Sequence, residues 1–461
     1  MYGSALAPED EEKAFAEGAA PYVAEFVGTY LLVFGIAVTS ILAEPWGPTA
    51  VGALLVVLVY IFGPISGAYL NPAVSVAAGL VGQITWRTVM AYTVLQITAG
   101  FMAGLACYGV FQMRMGVAPV APFHFWEAGL LELLFTTMLV FVILSVTASR
   151  TNNPSSNQNN FSGLAIGLVI VAAGHAAGPI SGAILNPAAA IGLEVGGDQG
   201  ADAFGLSYAF VQLLGGFLAA ACYRLVRKHE YLELCGEPSM ASKLFCEFLG
   251  TLLLCTTVGI CLTQHSNATP WAAGAALSSI VYSMHDVSGG HVNPAVTVAA
   301  VLNGKCPAER GLAYCGLQLL GAFIAGLILV VYRGLRQPSP DLEPTGDFSW
   351  ISIFAVETVF SCVLALVTLN VFSGPGPNWY FGIAIGSCLT LGGIASSKIS
   401  GLLNPAVVWS VAISAATESF GTPSLAFHCL AFCLFEIAGG ILAASLHQLA
   451  QDFPQIKTRS F

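Results

Sequence analysis

The sequence predicts an all-α membrane protein made of two tandem units, each with six transmembrane helices and two re-entrant half-helices. Three observations lead there. Of 461 residues 56% are hydrophobic and only 9% charged, long apolar runs recur along the chain, and one short motif returns four times in step with them. Soluble domains carry about a quarter of their residues as charges, so water is not the main solvent of this chain.

Apolar runs near the roughly 20 residues that cross a bilayer lie at 22–43, 49–63, 88–111, 126–148, 161–175 and 204–226, and again at 243–263, 271–285, 310–333, 350–371, 379–395 and 425–448. That makes twelve spans, the short ones tilted or continued by loops. Between the two sets stands RKHEYLELCGEPSMASK, a charged and turn-forming stretch that reads as a linker. The expected organisation is an acidic cytoplasmic tail at 1–20, a first unit at 21–226, a cytoplasmic linker at 227–242 and a second unit at 243–461. With both termini in the cytoplasm, only Arg114, Arg333, Arg336 and Lys398 of the 15 Lys and Arg fall outside, which satisfies the positive-inside bias.

The start of the chain is acidic, with Glu9, Asp10, Glu11 and Glu12, where a secretory leader would be basic and then apolar, so no cleaved leader is expected. The net charge of −10 lies mainly in loops and tails, which speaks against a nucleic-acid partner. Twelve cysteines are scattered without metal-ligand spacing and read as buried free thiols.

The recurring motif follows a Ser-Gly pair each time: SGAYLNPA ending at Ala73, SGAILNPA at Ala188, SGGHVNPA at Ala295 and SGLLNPA at Ala406. Glu25 precedes Asn71 by 46 residues and Glu247 precedes Asn293 by 46, while Glu132 and Glu357 precede Asn186 and Asn404 by 54 and 47. A polar residue returns after each motif as Gln96, Gln212, Gln318 and Glu436. Asn71 to Asn293 and Glu25 to Glu247 are both shifts of 222 residues, so the halves are duplicates. Each quarter holds three spans, and successive quarters therefore enter the membrane with opposite orientation, as inverted repeats do.

The stretch after each motif is too short to cross and apolar enough to dip in. Asn is a favoured N-cap and Pro a favoured first helical residue, so Asn71-Pro72-Ala73, Asn186-Pro187-Ala188, Asn293-Pro294-Ala295 and Asn404-Pro405-Ala406 each read as a helix start. Two such starts from opposite faces meet near the midplane with their positive ends towards one another. The paired Asn amides then donate hydrogen bonds to a passing solute and the dipoles repel cations, which suits neutral molecules. Glu25, Glu132, Glu247 and Glu357 are expected to accept hydrogen bonds from re-entrant loop amides. The rival reading makes them proton-relay or ion-coupling groups.

In these motifs the chain resembles the aquaporin, or major intrinsic protein, family, whose members pair two Asn-Pro-Ala boxes with six spans and a glutamate in the first and fourth helices. The resemblance covers nearly the whole chain, twice over. It implies a passive channel for water or small neutral solutes in each unit, surrounded by membrane lipid, with two chains in a homodimer giving four pores. The family's outer constriction falls by spacing on Val51, Gly174, Ala183 and Ala189 in the first unit and on Ala273, Gly392, Gly401 and Val407 in the second, with Gly393 or Ser400 as alternatives where the fourth motif is one residue short. Ala189 and Val407 stand where the family generally carries Arg. The opening is therefore expected to be wider and less polar than in strict water pores, admitting glycerol, urea, ammonia or hydrogen peroxide.

His175 adjoins the first outer constriction and Lys398 the second, while His285, Asp286 and His291 sit by the second inner mouth, where an imidazole suits pH gating. An ordinary local hydrogen bond is the plainer reading for each. An ion-coupled carrier would need more charged groups at the midplane than the sequence offers, and a junctional protein with closed pores stays open as an alternative. No nucleophile–base pair, metal cluster or phosphate-binding glycine loop appears, so neither an enzyme nor a cofactor or metal is expected.

Overall fold

The computed structural model describes residues 8–113, 116–153, 159–194, 204–231, 237–334, 342, 348–371, 379–417 and 423–452, and every regular element among them is helical. In chain order these are α1 (Pro8–Ile41), α2 (Gly47–Ser66), α3 (Pro72–Leu80), α4 (Trp86–Phe111), α5 (Phe125–Thr147), α6 (Ser162–Ser181), α7 (Pro187–Glu194), α8 (Gly205–Val226) and the short α9 (Lys228–Tyr231). The second series is α10 (Met240–Thr263), α11 (Thr269–Ser288), α12 (Pro294–Leu302), α13 (Ala308–Arg333), α14 (Trp350–Val371), α15 (Phe381–Ala395), α16 (Pro405–Ala415) and α17 (Pro423–Asp452).

Two compact units emerge, Met1–Leu144 with Ser162–Tyr223, and Ser145–Phe161 with Arg224–Phe461. Within the first, α1 packs on α2 and α4, and α2 on α6. Within the second, α10 packs on α11 and α13, α11 on α15, and α14 on α17. Small residues allow the tight crossings. A methyl group added to Gly52 of α2 would lie 2.7 Å from the Gly167 carbonyl of α6, and one added to Gly274 of α11 would lie 2.6 Å from that of Gly386 in α15.

Among the described residues ten helices are long and apolar enough to cross a membrane, and the chain is an integral, multi-pass membrane protein. Two of the twelve anticipated spans do not qualify on composition and length. α11 carries Ser278, Ser279, Ser283, His285 and Asp286 but is largely buried inside its unit, so its outward apolarity is not required. α15 stops at Ala395, five residues before Ser400, whereas α2, α6 and α11 each run to the Ser of their motif. The half-helices α3 and α12 have nine residues each, about 13 Å at 1.5 Å per residue, less than half of a bilayer core. At the start of the chain α1 reaches back to Pro8, so helix continues into the acidic tail. The expected linker begins with Arg227, which is fully buried, and continues as α9.

Candidate functional site

The four Asn residues each cap a half-helix. Asn71 has extended backbone, φ −157° and ψ 120°, and its Oδ1 accepts from Ala73 N at 2.9 Å. Asn186, Asn293 and Asn404 do the same for Ala188 N, Ala295 N and Ala406 N at 2.9, 2.8 and 3.0 Å. Pro72, Pro187, Pro294 and Pro405 open the helices, where no amide is lost. The other end of each carboxamide reaches across to the opposing loop. Asn71 Nδ2 donates to Leu185 O at 2.8 Å and Asn186 Nδ2 to Leu70 O at 2.9 Å. In the second unit Asn293 donates to Leu403 O at 2.9 Å and Asn404 to Val292 O at 3.0 Å. The inverted halves of each unit therefore clasp one another at their Asn residues, all four of which are buried.

The residue before each Asn carries the strain of the turn. Leu70, Leu185, Val292 and Leu403 have φ of 51°, 51°, 40° and 56°, a left-handed conformation that costs a side-chain-bearing residue about 1–3 kcal/mol. Two bonds hold each in place: its carbonyl takes the opposing Asn amide, and its N–H goes to a glutamate. Glu25 accepts Ser66 Oγ at 2.6 Å and Tyr69 N at 2.9 Å on one oxygen, and Leu70 N and Gln96 Nε2, both at 2.7 Å, on the other. Glu132 receives Ser181 Oγ, Ile184 N, Leu185 N and Gln212 Nε2 at 2.7 to 3.0 Å. Glu247 receives Ser288 Oγ, His291 N, Val292 N and Gln318 Nε2 at 2.6 to 3.0 Å. A carboxylate that accepts four donors has its lone pairs occupied, which is how a buried acid is tolerated.

The fourth quarter solves the same problem differently. Glu357 accepts Gly401 N, Leu402 N and Leu403 N at 2.8, 3.1 and 2.9 Å. Glu436, at the position of the three Gln residues, accepts Asn404 N at 2.7 Å and lies beside Glu357. Gly401 has φ 102°, close to the 94°, 88° and 95° of Gly67, Gly182 and Gly289. It is the counterpart of Gly182, and the place of Ala183 is the one deleted.

Small residues keep the half-helices close to their neighbours. An added methyl on Gly216 of α8 would lie 2.7 Å from Ala73 O, and Gly100 of α4 stands tighter still against Ala188 O. In the second unit Gly440 of α17 faces Ala295 O in the same way.

Among the outer positions, Val51 lines a groove of about 300 Å³ with Phe34, Val38 and Leu54. Gly174 and Ala183 are half-buried, and Ala189, Ala273 and Val407 are buried. Gly174 packs against Pro48, and in the second unit Gly393, not Gly392, takes that place against Pro270. Gly392 faces Leu403 and Phe360 instead. The shortened motif shifts this helix by one residue, which spacing from Asn404 alone does not show.

The lone polar residues separate by environment. His175 is buried, 3.0 Å from Thr49 Oγ1 and edge-on to Trp46, so it serves a local bond. Lys398 is exposed in the turn after α15. Asp286 is paired with Arg227 at 2.6 Å. His285 and His291 do line a cavity.

That cavity, about 430 Å³, is walled by His285, His291, Lys305, Arg310, Tyr314 and Thr368 among others. Above it lies a neck of about 10 Å³ formed by Asn293, Asn404, His291 and Thr368 with Leu254, Leu277, Val296, Leu364, Ile385 and Leu389. Such a volume holds the centre of about one water-sized sphere. Sequence reasoning missed Lys305, Arg310 and the buried Arg227, because a charge near a helix end reads as solvated until the fold encloses it.

A family model described as major intrinsic protein matches residues 15–199, 124–269 and 237–447. Aquaporin NIP1-3 of Oryza sativa subsp. japonica is 35% identical over 184 residues, covering 37% of this chain and 61% of the relative. An aquaporin of Enterocytozoon bieneusi (strain H348) is 27% identical over 239 residues, covering 44% of this chain and 95% of the relative. The chain spans 64% of a probable NIP-type aquaporin of Nicotiana alata, so it covers less than two thirds of that relative and of the rice protein. Among solved structures, the aquaglyceroporin from Plasmodium falciparum is 20% identical with a TM-score of 0.41, covering 46% of this chain and 98% of that one. The three matched ranges together run from residue 15 to residue 447, and the chain belongs to the major intrinsic protein family.

Proposed function

We propose that the chain is a passive channel for water and small neutral solutes, with one path through each unit, past Asn71 and Asn186 in the first and past Asn293 and Asn404 in the second. The observation that supports it best is the neck. Six aliphatic side chains, one pair of carboxamides, His291 and Thr368 surround a space for a single water-sized molecule. Each Asn side chain has two N–H donors and commits one to the opposing loop. The second is left to hold the oxygen of a solute. A water that accepts from both amides has its hydrogens turned outward, away from a proton relay, and the positive ends of α12 and α16 oppose cations. An ion would shed its hydration shell here for an aliphatic wall, which gives it little in return.

The size of the neck favours water, ammonia and hydrogen peroxide, while glycerol and urea need it to widen. The small outer residues, with Gly393 in place of Gly392, leave selection to the neck. The four glutamates serve as loop acceptors, since all their oxygens are taken up by the loops and the neighbouring helix. Two chains side by side would give four paths, with both termini in the cytoplasm. The test is stopped-flow shrinkage of proteoliposomes in gradients of an impermeant solute, glycerol and urea, with Asn186→Trp or Asn404→Trp closing one unit at a time. Shrinkage no faster than in protein-free vesicles would defeat the reading.

A further inference from the structure

We propose that the inner cavity of the second unit is a binding site for a small oxyanion, a phosphate or carboxylate, that obstructs the path above it. The proposal rests on the channel reading only for its effect on flux, and binding itself does not depend on it. Lys305, Arg310, His285 and His291 line a single cavity of about 430 Å³, large enough for an oxyanion with several waters, and no Asp or Glu is among the described residues that line it. Glu309, next to Arg310 on α13, lines a neighbouring groove with Lys243, Pro307 and Arg310 itself, so Arg310 borders both spaces while Glu309 is not among the residues lining the cavity. Glu247, behind the loop, has both oxygens occupied by donors.

The duplication supplies an independent comparison. Shifting by 222 residues, Gly304 with φ 68° falls on Gly82 with φ 78°, so the two loops share one backbone course. On that alignment Lys305, Arg310, His285 and His291 correspond to Gln83, Thr88, Gly63 and Tyr69. All four basic side chains at this mouth are peculiar to the second unit. Arg87 of the first unit stands opposite Glu309, which is not among the residues lining the cavity. A shared fold requires none of these substitutions, and together they add basic side chains to this mouth that the first unit lacks at the same positions.

The chemistry fits an oxyanion. Lys305 Nζ donates to Leu369 O at 3.2 Å, which fixes its positive charge at the cavity wall. Arg310, whose side chain contacts Cys306, offers a planar fork suited to two oxygens of one phosphate or carboxylate. The hydroxyls of Tyr314 and Thr368 donate to Ser288 O at 2.9 Å and Leu364 O at 2.8 Å, so the basic side chains, not these hydroxyls, hold the anion. His291 belongs to both the cavity and the neck, so an anion held by these groups sits directly below Asn293 and Asn404 and blocks solute from the inner side.

The experiment uses the full chain. Inorganic phosphate is titrated against purified protein by calorimetry, and flux through the second unit is measured in vesicles with Asn186→Trp present and phosphate on the inner face. The expected result is saturable binding that weakens about tenfold or more in K305Q/R310T, which carries the first unit's residues, together with slower shrinkage that the same variant relieves. The single variant R310T, with less disturbance of the loop, should weaken binding in the same direction. Absence of saturable binding, or equal binding by K305Q/R310T of unchanged elution volume, overturns the site. Block that needs anionic lipid in the vesicle and ignores soluble phosphate overturns it as well, in favour of a headgroup. Phosphate binding in a chain that conducts nothing refutes the channel reading alone, and conduction without phosphate binding refutes this proposal alone.

Discussion

Replacing Glu25 with Gln should disturb folding rather than ion selectivity, and the geometry sets the size of the effect. An amide has one acceptor oxygen where the carboxylate has two. If Oε1 keeps Ser66 Oγ and Tyr69 N, the new NH₂ faces Leu70 N and Gln96 Nε2. Gln96 can turn its own carboxamide and accept, but Leu70 N cannot move, and a buried N–H without an acceptor costs about 1–3 kcal/mol. The bonds kept from Ser66 and Tyr69 lose their charge assistance, about 1 kcal/mol each. The neutral amide recovers part of this by avoiding the burial of a charge, and the net loss is about 3 kcal/mol. Leu70 is held in its left-handed conformation by that N–H, and its carbonyl holds Asn186, so the defect passes to the opposite half of the unit. Elution of detergent-solubilised protein after a heating series should show a lower midpoint and a lower yield, with flux per folded molecule still free of ions. An unchanged midpoint combined with a new proton or ion current would refute the acceptor role and favour ion coupling.

Arg227→Gln should cost about 3–5 kcal/mol, because it strands Asp286 and Glu230, whose side chains are only 13% and 9% exposed, in a buried cluster; a heating midpoint within experimental scatter of the parent would contradict this. Glu230 in that cluster is raised by burial, but the Arg227 charge and the bonds from Arg150 N and Thr151 outweigh this and hold it below its usual 4.5. Its contribution is therefore complete above that value and fades as the pH falls through the lower folded one, so acid should narrow the gap between parent and Arg227→Gln. Glu436→Gln should leave stability unchanged or slightly raised, within about 1 kcal/mol, since an amide can accept Asn404 N and donate to Glu357 without the shared proton that two carboxyls need; a large drop in midpoint would show that the acid itself is required. Gly104→Ala should lower the yield of folded protein by about 3 kcal/mol of lost stability, because the added methyl meets the Gly192 carbonyl of α7 and neither backbone can retreat; a parent-like midpoint would mean that α4 and α7 stand farther apart.

The parts of the site that were legible in the sequence are those with local signals. Asn before Pro marks a helix start wherever it occurs, and Asn71, Asn186, Asn293 and Asn404 all cap half-helices. A carboxylate in an apolar helix must find donors, and each of the four does. What stayed hidden depends on contacts between distant segments. Nothing about Leu70 or Val292 announces a left-handed backbone, because the conformation is imposed by a glutamate more than forty residues earlier and an asparagine more than a hundred later. Arg227 looks like linker charge until Asp286 and Ser283 O enclose it. Spacing left Gly392 and Gly393 both open because the fourth motif is one residue short, and only the contact with Pro270, matching that of Gly174 with Pro48, separates them.

That lost residue shows how far a local deletion reaches before the site absorbs it. Without a counterpart to Ala183, the fourth loop is too short to bring a Ser hydroxyl to its glutamate, and Ser400 Oγ has no partner among the described residues. Gly401 N takes the vacant position on Glu357, drawing the chain in early, and α15 ends at Ala395 as a result. Glu357 then has three backbone donors, where each of the other glutamates has two, and Glu436 takes a fourth, the N–H of Asn404. The rearrangement stops at the Asn. Asn404 still caps α16 and still reaches Val292 O at 3.0 Å, within 0.2 Å of its three counterparts. The outer approach to the second unit is thus free to change while the clasp at its centre is kept, as expected if selection of the solute rests on the clasp and the neck around it.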